Sequence, residues 1–266
     1  MANMIMFRDF FNYTINSESS EQTNFPSDNL LLPNKQRRYW KTTGVGNEYV
    51  IIDLGSAQTV TGVALINANY DTFVIEGDTT TSFSSPPVTS GTLDTIYDPI
   101  RGRYYAYTNP SDYSFNHRYL RLYIPAQTPN DGDTVFKTGG LVIKTGTTEI
   151  LMNPNYGLTI AINRSSDINN LRSGGVETRN IGERLATMSF TMTRDQRVEA
   201  DIDEMGNLFS TIDETEDLLV CDNGNFLSKS PDTPFIYVFR RSGGVTFNLS
   251  RYPLLEITTL TFLEQI

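Results

Sequence analysis

The chain has 266 residues, 38% of them hydrophobic and 20% charged, which fits a globular protein of one large β domain or two modest ones and excludes wholesale disorder. Its 31 Asp and Glu outnumber 21 Lys and Arg, and the net charge of -10 argues against a partner bound by counterion release, such as duplex nucleic acid. A single cysteine, Cys221, allows no intramolecular disulfide or multi-cysteine metal centre, and no apolar run approaches the roughly 18 residues of a membrane-spanning helix.

The opening residues, Met1 to Asp9, lack the basic, apolar and cleavage regions of a secretory leader, so synthesis in a cytoplasm without export by that route is expected. From Glu48 to Leu65 two runs of β-branched residues alternate with period two around Gly55, Ser56 and Ala57. The pattern predicts two strands joined by a turn, an opening hairpin with one face on a core. Trp40 precedes them as a core residue whose N–H needs a partner, and Asp53 reads as an acceptor for nearby backbone or an arginine. Further strands are predicted at Thr72 to Gly77, Arg103 to Thr108, Tyr119 to Ile124 and Lys137 to Lys144, with a polar loop from Asp78 to Thr92.

The second half differs in texture. A strand at Leu158 to Ile162 is followed by a polar loop through Gly175 that carries Arg164 and Arg172. Strands are expected at Val176 to Arg179 and Leu185 to Met192. Thr193 and Gln196 then supply a capping box for one helix over about 194–210, its apolar stripe formed by Val198, Ile202, Met205 and Leu208. Four strands close the chain: Leu218 to Cys221, Phe235 to Phe239, Val245 to Leu249 and Leu254 to Phe262. The fold class is therefore all-β: a jelly-roll β-sandwich over 1–148, then a second β-barrel or sandwich domain over 149–266 with one packed α-helix.

The run Asn24 to Leu31, then Arg38 to Trp40, Tyr49 to Gly55 and Gln58 to Val63, resembles the discoidin-type, galactose-binding-like β-sandwich domains. Phe136 to Ile143, Asn155 to Gly157, Gly174 with Gly175, Arg184 to Phe190 and Thr258 to Glu264 look like virion proteins of tailed bacteriophages. In those a discoidin-like module precedes a domain akin to tail-tube and distal-tail barrels. The two resemblances imply a structural component of the tail tip or baseplate, assembled in a homo-oligomeric ring with other virion tail proteins. The alternative they leave is a glycan-binding adhesion module that contacts a host surface.

No residue pattern supports catalysis. His117, in the polar segment before a predicted strand, reads as a solvated or turn histidine; no Gly-x-Ser-x-Gly elbow or phosphate-cradling Gly loop occurs. No enzyme activity, cofactor or resident metal is expected. Asp131-Gly132-Asp133 offers two carboxylates for calcium, which some discoidin-like domains hold, without the ordered oxygen ligands of a full loop. The segment from Tyr97 to Tyr123 interleaves tyrosines with arginines, the residue types enriched at interfaces. Interaction candidates are Trp40, Tyr97, Arg101, Arg103, Tyr105, Tyr107, Arg164 and Arg172. Protein contact ranks first, glycan second and nucleic acid a distant third.

Overall fold

The computed structural model describes residues 4–7, 12–33, 35, 38–84, 88–98, 103–108, 115–145, 150–152, 159–170, 176–195, 217–222, 236–241, 246–251 and 254–264. In chain order the strands are β1 (Met4–Phe7), β2 (Thr14–Glu18), β3 (Trp40–Lys41), β4 (Glu48–Ala68), β5 (Thr72–Asp78), β6 (Val88–Asp94), β7 (Ile96–Asp98), β8 (Arg103–Thr108), β9 (Phe115–Ile124) and β10 (Lys137–Thr145). They continue as β11 (Ile150–Met152), β12 (Thr159–Asn170), β13 (Val176–Asp195), β14 (Asp217–Asp222), β15 (Ile236–Arg241), β16 (Thr246–Arg251) and β17 (Leu254–Glu264). A 3-10 turn spans Ser27–Leu31. The all-β reading holds. The chain divides into two compact units, one built on Asp9–Glu149 and the other on Met1–Arg8, Ile150–Leu219 and Tyr237–Gln265.

The first unit is a sandwich organised by one bent strand. The two predicted runs do not fold back on each other as a hairpin. They form the single 21-residue strand β4, with a bulge between Asp53 and Gln58 where it runs along β9. Before the bulge β4 pairs with β2 and β9; beyond Val60 it leaves them and pairs with β10 and β8. One layer is thus β2, the first half of β4, β9, β5 and β6. The other is β3, β10, the second half of β4, β8 and β7.

The core lies between these layers because alternate residues of each strand face inward. Val50, Ile52, Val63 and Leu65 come from the two halves of β4, and Leu122 and Leu141 from its partners. Six large side chains are fully buried: Trp40, Tyr70, Tyr105, Phe73, Phe115 and Phe136. The polar tips of three buried aromatic residues find partners, as burial favours. Trp40 Nε1 donates to Ser20 O at 3.1 Å, Tyr13 Oη to Leu141 O at 2.7 Å, and the Tyr70 hydroxyl pairs with Thr138 Oγ1 at 2.9 Å.

The second unit holds an eight-stranded sheet in the order β11-β1-β14-β15-β17-β13-β12, with β16 also on β17. Two expectations change here. Thr193 to Asp195, the expected start of the helix, are the end of β13 and pair with Glu256 to Leu254 of β17. The rest of that helix lies outside the described residues. The expected loop after Ile162 is strand as far as Asn170. Arg164 pairs with Arg184, and the ladder runs on to Asn170 opposite Val176. Its polar sequence lacks the alternation that marks a half-buried strand, which is why it read as loop.

Gly77 on β5 shows how close the packing is: a Cβ there would come within 2.7 Å of both His117 Cδ2 and Phe115 Cδ1. Overpacking of this kind costs about 1–3 kcal/mol. Gly77→Ala is expected to lower the denaturant midpoint of the chain accordingly, and an unchanged midpoint would contradict this geometry.

Candidate functional site

The registers place five connections at one end of the sandwich. Glu48 and Ile124 are paired at the end of one layer, and Ala68, Thr138 and Tyr104 at the end of the other. The segments that join these strands, 19–25, 42–47, 69–71, 95 and 125–136, are tied by hydrogen bonds among themselves. Thr42 N donates to Phe136 O at 3.1 Å, Ala126 N to Asn47 Oδ1 at 3.0 Å, Thr95 N to Asp71 O at 2.7 Å and Asn130 N to Asn69 O at 2.7 Å. Gln127 bridges Asp71 and Thr72, accepting from both backbone N–H groups and donating to Thr72 O.

Asn69, 4% exposed, is the hub of this loop end. Its amide nitrogen donates to Asp131 Oδ1 and to Val135 O, each at 3.0 Å, and its amide oxygen accepts from Lys137 N at 2.7 Å. The Asp131 and Asp133 carboxylates converge, but on an ammonium rather than a metal. Lys137 Nζ lies 2.9 Å from Asp131 Oδ2 and 2.5 Å from Asp133 Oδ2. Lys137 holds the Asp133 carboxyl below the usual carboxylate range. Burial works the other way at Asp131, yet hydrogen bonds from Lys137, Asn69 and the Asp133 N–H outweigh it and lower that group too. Among the described residues no group of three or more His, Cys, Asp or Glu is placed to hold a metal, and no helix is long and apolar enough to cross a membrane.

The exposed surface of this end carries apolar side chains, one of them aromatic. Three large hydrophobic side chains stand out among the described residues, Val45, Ile96 and Tyr97, and all three sit here. Tyr97 is 45% exposed, with its ring against Tyr104 at 4.9 Å between centroids and 45° between planes. Burial, then the negative fields of Asp71, Tyr97 and Asp131, pushes the Tyr104 hydroxyl above its ordinary value, so it is a neutral donor in use. Asn130, also exposed, donates from Nδ2 to Asp71 Oδ1 at 2.6 Å.

The sequence-derived candidates separate on this structure. Tyr97 is at the surface of the loop end. Trp40 and Tyr105 are each 1% exposed and Arg103 9%, so these three are placed for packing and not for contact with a partner. Tyr107 is half-buried on β8, and its ring fills the space above Gly62. Arg164 is in the β12–β13 ladder, while Arg101 and Arg172 lie outside the described residues. Sequence reasoning missed Asn69, Asp71, Tyr104, Asn130 and Lys137 as a group. The Pro-, Gly- and Asp-rich stretch from Gln127 to Asp133 is a loop signal that marks part of it.

At the opposite end Asp53 meets the expectation set for it. Its carboxylate accepts from Gly55 N at 2.7 Å and from both arms of Arg118 at 2.8 Å, and the Arg118 hydrogen bonds are the chief cause of its lowered pKa. His117 is not a turn residue. It lies within β9 opposite Gln58, with Nδ1 buried and without a hydrogen-bond partner among the described residues. On the outer face of the first layer Arg121 pairs with Glu76 at 2.5 Å, and its guanidinium lies over the Phe83, Tyr123 and Tyr49 rings.

The strand order and the bent β4 make the first unit a two-layered β-sandwich. The family model described as the XRCC1 N terminal domain matches residues 9–86, under a third of the chain. Among solved structures, reduced XRCC1 bound to the DNA pol beta catalytic domain matches at 11% identity and a TM-score of 0.40, over 52% of this chain and 100% of that one. CBM32-3 from a family 31 glycoside hydrolase of Clostridium perfringens matches at 15% identity and 0.39, over 50% and 91%. Chitosan-binding module 1 of a Paenibacillus sp. IK-5 chitosanase/glucanase matches at 17% and 0.37, over 53% and 98%. No curated protein sequence matches the chain.

Carboxyls depressed on folding contribute stability above the unfolded pKa and lose it as pH falls through the folded value. The thermal midpoint is therefore expected to drop on acidification below about pH 4. Lys137→Met is expected to flatten that drop, because Asp131 and Asp133 return toward ordinary values. Parallel midpoint-against-pH curves for the two proteins would refute the role given to Lys137.

Proposed function

We propose that the first unit is a carbohydrate-binding module whose ligand lies on the loop end, and that it binds without catalysing a reaction. The observation that carries this reading is the exposed Tyr97 ring, propped by Tyr104 on a loop end where the Asn130 amide and the Asp71 carboxylate are also exposed. A sugar ring has an apolar C–H face and a rim of hydroxyls. An aromatic platform with hydrogen-bonding groups at its edge complements both. The loops beneath are already ordered by Asn69 and Gln127, so little conformational entropy is lost on binding. The test is a glycan array followed by calorimetric titration. Tyr97→Ala is expected to weaken binding by about tenfold or more, equivalent to about 1.4 kcal/mol. Binding that survives Tyr97→Ala unchanged would move the site elsewhere.

A second reading is favoured by a separate observation on the second unit. β13 pairs with β17 from Thr187 onward, whereas its earlier residues, Val176 to Arg184, pair with β12. The two strands thus extend as an arm past the β17 pairing. Such an arm suits strand addition or interlocking between copies around a symmetry axis. This supports a structural role in a virion tail, where the second unit assembles in a ring with tail proteins. Sedimentation velocity is expected to give a closed oligomer, reduced to monomer when residues 167–179 are deleted. A full-length chain that stays monomeric at high concentration would remove this reading.

A further inference from the structure

The charge balance of the loop end points to the kind of sugar it takes. Lys137 is shared between Asp131 and Asp133, so one ammonium faces two carboxylates. Lys41 has its Nζ 3.9 Å from the centroid of the Phe25 ring, and its charge acts on Asp133. Asp71 is exposed; its carboxylate accepts one hydrogen bond, from Asn130, and meets no cation among the described residues. Its main-chain carbonyl accepts from Thr95 N at 2.7 Å, two residues before Tyr97, which sets it close to the Tyr97–Tyr104 pair. An anionic or purely neutral ligand leaves this negative charge uncompensated. A protonated amine meets it, and an ammonium next to a tyrosine face gains a cation–π attraction as well.

We infer that the loop end is a subsite for an amino sugar with a free, protonated amine, the ring lying on Tyr97 and the ammonium facing Asp71. This rests on the carbohydrate-binding reading and narrows its substrate class. The uncompensated Asp71 carboxylate selects the amine over its N-acetylated form, which has lost both the charge and two of the N–H donors.

Calorimetric titration of the full chain at mildly acidic pH tests it with three probes: a glucosamine tetramer, its fully N-acetylated counterpart and a β-linked glucose tetramer. The glucosamine tetramer is expected to bind about tenfold more tightly than either of the others, with a preference that shrinks as salt is raised. Asp71→Asn keeps the shape of the side chain, and it is expected to bring the ratio of affinities close to one at an unchanged unfolding midpoint. Equal binding of all three probes, lost in Tyr97→Ala, would overturn the amine preference while leaving the carbohydrate-binding reading intact. A preference that persists in Asp71→Asn would overturn the role given to that carboxylate. Failure of every probe to bind would remove both the inference and the reading beneath it.

Discussion

Everything in the first unit depends on the bend in β4. A strand that ran straight would belong to one sheet, and its partners would have no second layer to pack against. One chain segment serves both layers: after a bulge between Asp53 and Gln58 it stays on β9 as far as Val60, then runs on with β10 and β8. Gly55 within the bulge has φ of 75°, a left-handed conformation that costs glycine little. The Asp53 carboxylate fixes the corner from two sides, taking the Gly55 N–H and the Arg118 fork. The two halves of β4 then contribute inward-facing residues to a single core, and the ends of their partner strands meet at one loop end.

How much of this was legible depended on the range of the interaction. Period-two alternation in Val50, Ile52, Val60 and Gly62 is a local signal, and the strands it predicts are present. Whether the chain turns back or carries on at Gly55 is not local. Both outcomes ask for a glycine with positive φ between apolar runs, and pairing with β9 and β10 decides between them. The same limit explains the β12–β13 arm. A backbone ladder needs no apolar alternation to form, so Arg164 to Asn170 reads as loop although its backbone is laddered.

The tyrosines show the limit most sharply. Tyr97 and Tyr105 both belong to the tyrosine- and arginine-bearing segment from Tyr97 to Tyr123, yet one is 45% exposed and the other 1%. The difference follows from register: Tyr105 lies opposite Ile66 of the central strand, and Tyr97 on the short β7 that pairs with β8 alone. The loop-end network was hidden for a related reason. Asn69 and Asp131 are separated by 62 positions, and their hydrogen bond has no trace in either segment taken singly. Composition identified residue types fit for an interface, while the pairing of strands selected which of them reach one.

Lys137 gives the loop end a further property. Between two carboxylates on a calcium-style Asp-Gly-Asp turn it occupies the place a dissociable ion takes in other proteins, and it is tethered to the core strand β10. Its local concentration is set by the chain and not by the medium. The two carboxylates of this turn are accordingly met by a charge that stays at hand whatever the composition of the medium.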